Sequence, residues 1–145
     1  MLAMPAPARA AVQYEISNIN SGLCLTVTPG PGERAVYGDR CRNVSEQRWF
    51  QVVERRGYYQ LKNVATGLCL AIRGTGENPA IVTTCNEYWN DQVWYAYGVG
   101  PQLNQYQNIN SQLCMVQRGQ TIGTRVIQST CGRQWADQLW LAVAR

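Results

Sequence analysis

Four landmarks each recur three times along this chain with one period. Cys24, Cys69 and Cys114 are 45 and 45 residues apart, and Cys41, Cys85 and Cys131 are 44 and 46 apart. Gln47-Arg48-Trp49, Gln92-Val93-Trp94 and Gln138-Leu139-Trp140 follow at 45 and 46. Upstream, Asn18-Ile19-Asn20-Ser21, Asn63-Val64-Ala65-Thr66 and Asn108-Ile109-Asn110-Ser111 each lead into a Leu-Cys pair. A period of this kind marks one supersecondary unit used several times, each copy too small to bury its own apolar face. The chain of 145 residues therefore divides into three repeats, about 12–56, 57–102 and 103–145, within one domain of 11–145.

Each repeat reads as short strands. Tyr14 to Ile16, Leu23 to Val27, Ala35 to Tyr37 and Trp49 to Val53 are β-rich runs, divided by turn material such as Pro29-Gly30-Pro31-Gly32. No run of roughly a dozen residues carries a helical apolar period without Gly or Pro. The class is all-β with roughly four strands per repeat. A propeller needs at least about four blades. An open solenoid needs polar caps, whereas the end repeats here carry the same core markers as the middle one. A closed arrangement with three-fold pseudosymmetry satisfies both conditions.

The repeats order the cysteines as well. Six allow about fifteen pairings, and symmetry selects Cys24–Cys41, Cys69–Cys85 and Cys114–Cys131, with bridges between repeats as the alternative. An even cysteine count with no leftover thiol belongs to an oxidising compartment. The first ten residues are rich in Ala and Pro, and Ala8-Arg9-Ala10 resembles a signal-peptidase site. Residues 1–10 are read as the remnant of a secretory signal, so the chain is expected to be secreted and extracellular; a meaningless alanine-rich terminus is the alternative.

Composition removes whole classes of chemistry. There is no histidine, which excludes imidazole-based nucleophilic triads and His-ligated metals. No two cysteines are close enough in sequence to suggest zinc, so neither metal nor cofactor is expected. The formal net charge is +4, and the densest basic pairs, Arg40/Arg42 and Arg55/Arg56, fall far short of a nucleic-acid stripe. No apolar run reaches membrane-span length. Nine acidic residues are present, but no motif pairs two of them, so an enzyme is not expected.

The Leu-Cys pairs, the second cysteine and the Gln-x-Trp motif together resemble the ricin B-type lectin repeat, in its secreted bacterial form. The resemblance spans about residues 12–145 and implies a β-trefoil, a short barrel closed by three hairpins. It also implies carbohydrate binding without catalysis, of galactosides or xylan-type glycans. In such repeats the Gln-x-Trp pairs (Gln47/Trp49, Gln92/Trp94, Gln138/Trp140) are structural: the indole fills the shared core and the glutamine braces the hairpin.

The family's sugar-binding positions are altered here. The Asp expected after Cys-Leu is replaced by Thr26, Ala71 and Val116, and the aromatic platform two residues before the second cysteine by Asp39, Thr83 and Ser129. Repeats two and three instead share Trp89-Asn90-Asp91 and Trp135-Ala136-Asp137, with Arg73 and Arg118 at matching positions. Two relocated sugar sites are expected from Trp89, Asp91 and Arg73 and from Trp135, Asp137 and Arg118, with Tyr88, Tyr95 and Tyr97 as further candidates. An indole offers a face on which a pyranose stacks, while carboxylate and guanidinium bond its hydroxyls. The competing expectation buries both indoles under the hairpins, has each Asp pair with its Arg or cap a turn, and packs the three tyrosines into the core. The second functional reading is a protein-binding trefoil, an inhibitor or toxin-targeting subunit, contacting a partner protein through the loops 29–34 and 74–79.

Overall fold

The computed structural model describes residues 11–145, so the segment 1–10 read as a signal remnant lies outside the described residues. Each repeat contributes four strands and a single 3-10 turn. The first holds β1 (Gln13–Asn18), β2 (Cys24–Val27), β3 (Arg34–Asp39) and β4 (Arg48–Arg55). The second holds β5 (Tyr58–Asn63), β6 (Cys69–Ala71), β7 (Ile81–Thr83) and β8 (Trp94–Gly100). The third holds β9 (Leu103–Asn108), β10 (Cys114–Val116), β11 (Ile127–Ser129) and β12 (Trp140–Ala144).

Antiparallel pairing closes the first and last strand of every repeat into a barrel, in the order β1, β4, β5, β8, β9, β12 and back to β1. The remaining strands form three hairpins, β2–β3, β6–β7 and β10–β11, that cap one end. This is the expected β-trefoil. The hairpins meet on the pseudo-three-fold axis, where the Val36 N–H donates to the Ala80 carbonyl at 3.1 Å, Ala80 N–H to Val126 at 2.8 Å, and Val126 N–H to Val36 at 3.0 Å. Closing the barrel and joining the hairpins leaves few backbone groups unpaired, which an isolated repeat could not achieve.

The core is one cluster built of threes. Ile16, Leu61 and Tyr106 occupy equivalent barrel positions, and Leu25, Leu70 and Met115 equivalent hairpin positions; all six are fully buried. Trp49, Trp94 and Trp140 lie among them. All three intra-repeat disulfides are present, with Cα–Cα distances of 5.2, 5.0 and 5.0 Å, so symmetry chose the pairing correctly. Before each first cysteine the chain takes a left-handed turn at Gly22 (φ 71°), Gly67 (φ 70°) and Gln112 (φ 64°). The third repeat thus accepts a side chain where glycine costs least, and the Gln112 amide donates to the Ile109 carbonyl at 3.0 Å. No helix among the described residues is long and apolar enough to cross a membrane.

Candidate functional site

The Gln-x-Trp motif does structural work through side-chain hydrogen bonds repeated three times. Trp49, Trp94 and Trp140 donate from Nε1 to the carbonyls of Leu25, Leu70 and Met115 at 3.0, 3.1 and 3.0 Å. The Gln47 Nε2 donates to the Arg40 carbonyl at 2.6 Å, while its Oε1 accepts from the Arg42 N–H at 2.7 Å. Gln92 spans Thr84 and Asn86 in the same way, and Gln138 spans Thr130 and Gly132. Each glutamine therefore grips the loop on both sides of the second cysteine, and a buried amide is well satisfied there.

The family's usual sugar positions have become packing and ion-pair positions. Thr26, Ala71 and Val116 are buried. Beside Ala71, Arg73 forms an ion pair with Glu33 of the preceding repeat, and Thr83, in the platform position, donates to the same carboxylate at 2.9 Å. Repeat three copies this, with Arg118 2.6 Å from Glu77 and Ser129 donating to it. Each cluster clasps two consecutive repeats.

The Arg73 and Arg118 guanidinium groups, and then the Thr83 and Ser129 hydroxyls, hold the Glu33 and Glu77 carboxyls below the usual 4.5. A depressed folded-state pKa means that the stabilisation is present above pH 4.5 and is lost as pH falls through the lowered folded values. Glu33→Gln with Glu77→Gln should lower the urea midpoint at pH 7, and the gap from the parent should close as pH drops below 4.5. A gap that persists unchanged into acid would show that the clasps act by packing and not by charge.

The structure brings Trp89 together with Asp91, and Trp135 with Asp137, but takes both arginines elsewhere. Neither Asp is bonded to its Arg, since each guanidinium is committed to a glutamate. Arg73 still lies close enough to oppose the burial that pushes the Asp91 carboxyl above its ordinary range. Trp89 is 48% exposed and Trp135 54%, so neither indole is tucked under its hairpin. Tyr88 is more exposed still. Each indole projects from the loop between the second cysteine and the 3-10 turns Asn90–Gln92 and Ala136–Gln138.

Each indole borders a shallow recess at a repeat boundary. One, of about 300 Å³, is lined by Tyr88, Trp89, Asn90, Asp91 and Asn110. The other, of about 350 Å³, is lined by Asn20, Gln134, Trp135, Ala136 and Asp137. Both combine an indole, a carboxylate and the exposed asparagine of the next repeat's Asn-x-Asn-Ser segment. The asparagine was missed in the sequence because it belongs to another repeat, yet a signal exists. Where repeat one has Val44-Ser45-Glu46 in place of Trp-x-Asp, the next repeat has Ala65 in place of the asparagine.

A larger cleft of about 510 Å³ lies on the other side of Trp135, lined by Tyr95, Tyr97, Gln105, Gln107, Arg133 and neighbours along the 131–135 loop. The Arg133 guanidinium stacks over the Tyr97 ring at 3.9 Å. Tyr95 packs against Tyr58 with ring centroids 5.1 Å apart. The barrel strands supply this wall, so two of the reserve tyrosines are half-buried cleft residues and not core.

Comparison with known proteins agrees with this construction. The ricin-type β-trefoil lectin domain-like family matches residues 7–85, and the ricin-type β-trefoil lectin domain family matches residues 57–144. No curated protein sequence matches the chain. Among solved structures, the designed three-fold symmetric protein ThreeFoil is 21% identical with a TM-score of 0.83, covering 90% of this chain and 97% of its own. A Macrolepiota procera ricin B-like lectin, solved with lactose, is 14% identical with a TM-score of 0.76, covering 94% and 98%. An exo-β-1,3-galactanase from Clostridium thermocellum is 19% identical with a TM-score of 0.85; the match covers 94% of this chain but 31% of the enzyme. With both halves matched and the trefoil complete, the chain belongs to the ricin-type β-trefoil lectin domain family.

Proposed function

We propose that the chain is a secreted, non-catalytic carbohydrate-binding module whose sugar contacts sit on the two indole recesses of repeats two and three. One observation carries this reading: indole and next-repeat asparagine occur together beside a carboxylate twice, and both are missing at the third boundary, where Val44 and Ala65 stand in their places and Glu46 alone keeps the carboxylate. Half-exposed indoles suit the apolar face of a pyranose, and the Asp and Asn groups suit its hydroxyls. Arg73 and Arg118 contribute charge nearby, not direct bonds. The lactose held by the Macrolepiota lectin supports a sugar ligand for this fold. Secretion is supported by three disulfides. Neither recess holds two carboxylates, the pair that glycoside hydrolysis ordinarily needs, which supports binding without turnover.

The test is a titration of a panel of oligosaccharides, with pull-down on insoluble polysaccharides, followed by tryptophan emission. A saturable change in emission is expected with at least one glycan, and Trp89→Ala combined with Trp135→Ala should abolish it. Binding that survives the double substitution overturns the placement at the indoles. A flat response across the whole panel overturns the carbohydrate reading and turns attention to a protein partner.

A further inference from the structure

At the cleft beside Trp135 the chain departs from its own symmetry. Its walls are Tyr95 and Tyr97, and the equivalent residues are Phe50 and Val52 in repeat one and Leu141 and Val143 in repeat three. Its cation is Arg133, two residues after Cys131; the equivalents are Asn43 and Glu87. Neutral or acidic residues at the equivalent positions show that the trefoil does not need an arginine there.

Several features of Arg133 point to a ligand. It is exposed, and it takes part in none of the ion pairs among the described residues. No acidic side chain lines the cleft. The Arg133 guanidinium carbon lies 3.9 Å over the Tyr97 ring, and stacking of this kind does not consume the in-plane N–H groups, the ones that chelate a carboxylate. The floor is prepared for hydroxyls. Gln105 Nε2 is committed to the Gln138 Oε1 at 3.0 Å and Gln107 Nε2 to the Gln112 carbonyl at 3.0 Å, which leaves two amide oxygens as acceptors. Trp135 is placed by its own loop, since a Cβ on Gly132 would come within 2.5 Å of the indole ring. That indole is also the wall shared with the smaller recess at Asp137.

We propose that this cleft binds the acidic residue of a glycan, a sugar carrying a carboxylate, with Arg133 chelating the carboxylate and Tyr95, Tyr97 and Trp135 packing against the ring. The glycan continues over Trp135 into the recess at Asp137, so the site takes a chain of at least two sugars. A neutral unit lies on the Asp137 side, where a second carboxylate would meet like charge. The proposal rests on the carbohydrate reading above and specifies the chemical class of the ligand for one of its sites.

Two pairs of probes test it by isothermal titration: 3′-sialyllactose against lactose, and an aldotriouronic acid (one glucuronate on xylobiose) against xylobiose. The acidic member of at least one pair should bind at least tenfold more tightly than its neutral counterpart, and the advantage should shrink with added salt. The pair that responds identifies a sialic or a uronic carboxylate as the source. Arg133→Gln should erase the acidic advantage without changing the urea midpoint, while Arg56→Gln, which removes an exposed arginine that lines neither the cleft nor the recesses, should leave it intact. Equal binding of acidic and neutral members, or an advantage that survives Arg133→Gln, overturns the proposal while leaving the lectin reading in place. If no probe binds here and the broad panel is also flat, the lectin reading itself fails.

Discussion

Trp94→Ala should lower the unfolding free energy by about 3–5 kcal/mol. The indole is fully buried among residues of all three repeats. Truncation removes that packing and takes the Nε1 donor from the Leu70 carbonyl, 3.1 Å away. Against a total of about 5–15 kcal/mol for a domain of this kind, such a loss brings the chain near its threshold. Urea unfolding followed by far-ultraviolet circular dichroism measures it directly. Trp89→Ala is the companion experiment: a half-exposed indole with no core contacts should move stability by no more than about 0.5 kcal/mol. Similar losses from both substitutions would contradict the division of the tryptophans into core and site.

Reduction of the three disulfides should have an effect of comparable size or larger. Each closes a loop with a sequence separation of 16 or 17, worth about 3 kcal/mol on a chain-entropy estimate. The three together rival the whole stability of the domain. Their placement adds a local reason. Cys41 lies between the Arg40 carbonyl and the Arg42 N–H gripped by Gln47, so crosslink and amide brace hold the same loop. In repeat three the braced loop carries Arg133 and Trp135, and opening Cys114–Cys131 should loosen the cleft before the barrel yields. Reductant should therefore lower the urea midpoint sharply and quench glycan binding at lower denaturant than it unfolds the chain. A reduced protein with an unchanged midpoint would mean that the braces alone fix these loops.

The scaffold was legible in the sequence because its essential contacts are made by residues that keep the period. Cys, Gln, Trp and Asn each do the same job three times, so repetition in the sequence was repetition in the hydrogen bonds. Asn18, Asn63 and Asn108, for instance, donate to the backbone carbonyls of Asp137, Glu46 and Asp91 at 2.9, 3.1 and 2.9 Å. The site obeys the opposite rule. It is assembled across repeat boundaries, by loops of different repeats, and from residues that one or two of the three repeats lack. Glu33 and Arg73 are 40 positions apart, and nothing in their flanks announces that they meet. Matching positions suggested that Arg73 would join Asp91; a nearer carboxylate on the preceding hairpin captured it. The exposure of Trp89 and Trp135 also ran against the general tendency of tryptophan to be buried. Their loops hang outside the barrel, whose interior the three Gln-x-Trp indoles already fill.

The three backbone hydrogen bonds among Val36, Ala80 and Val126 form a ring in which each repeat gives one proton and receives one. A ring has no partial version. Two repeats leave a donor and an acceptor stranded at the centre of an apolar cap, whichever two they are. The links span sequence separations of 44, 46 and 90 residues, far longer than the loops sealed by the disulfides. Crosslinks that restrain each third of the chain separately therefore do little to bring the thirds together. The slow event in folding should be the meeting of the three hairpins, on the millisecond-to-second scale of proteins dominated by distant contacts. The chain can thus hold all its thiols correctly joined and still be waiting to become a single body.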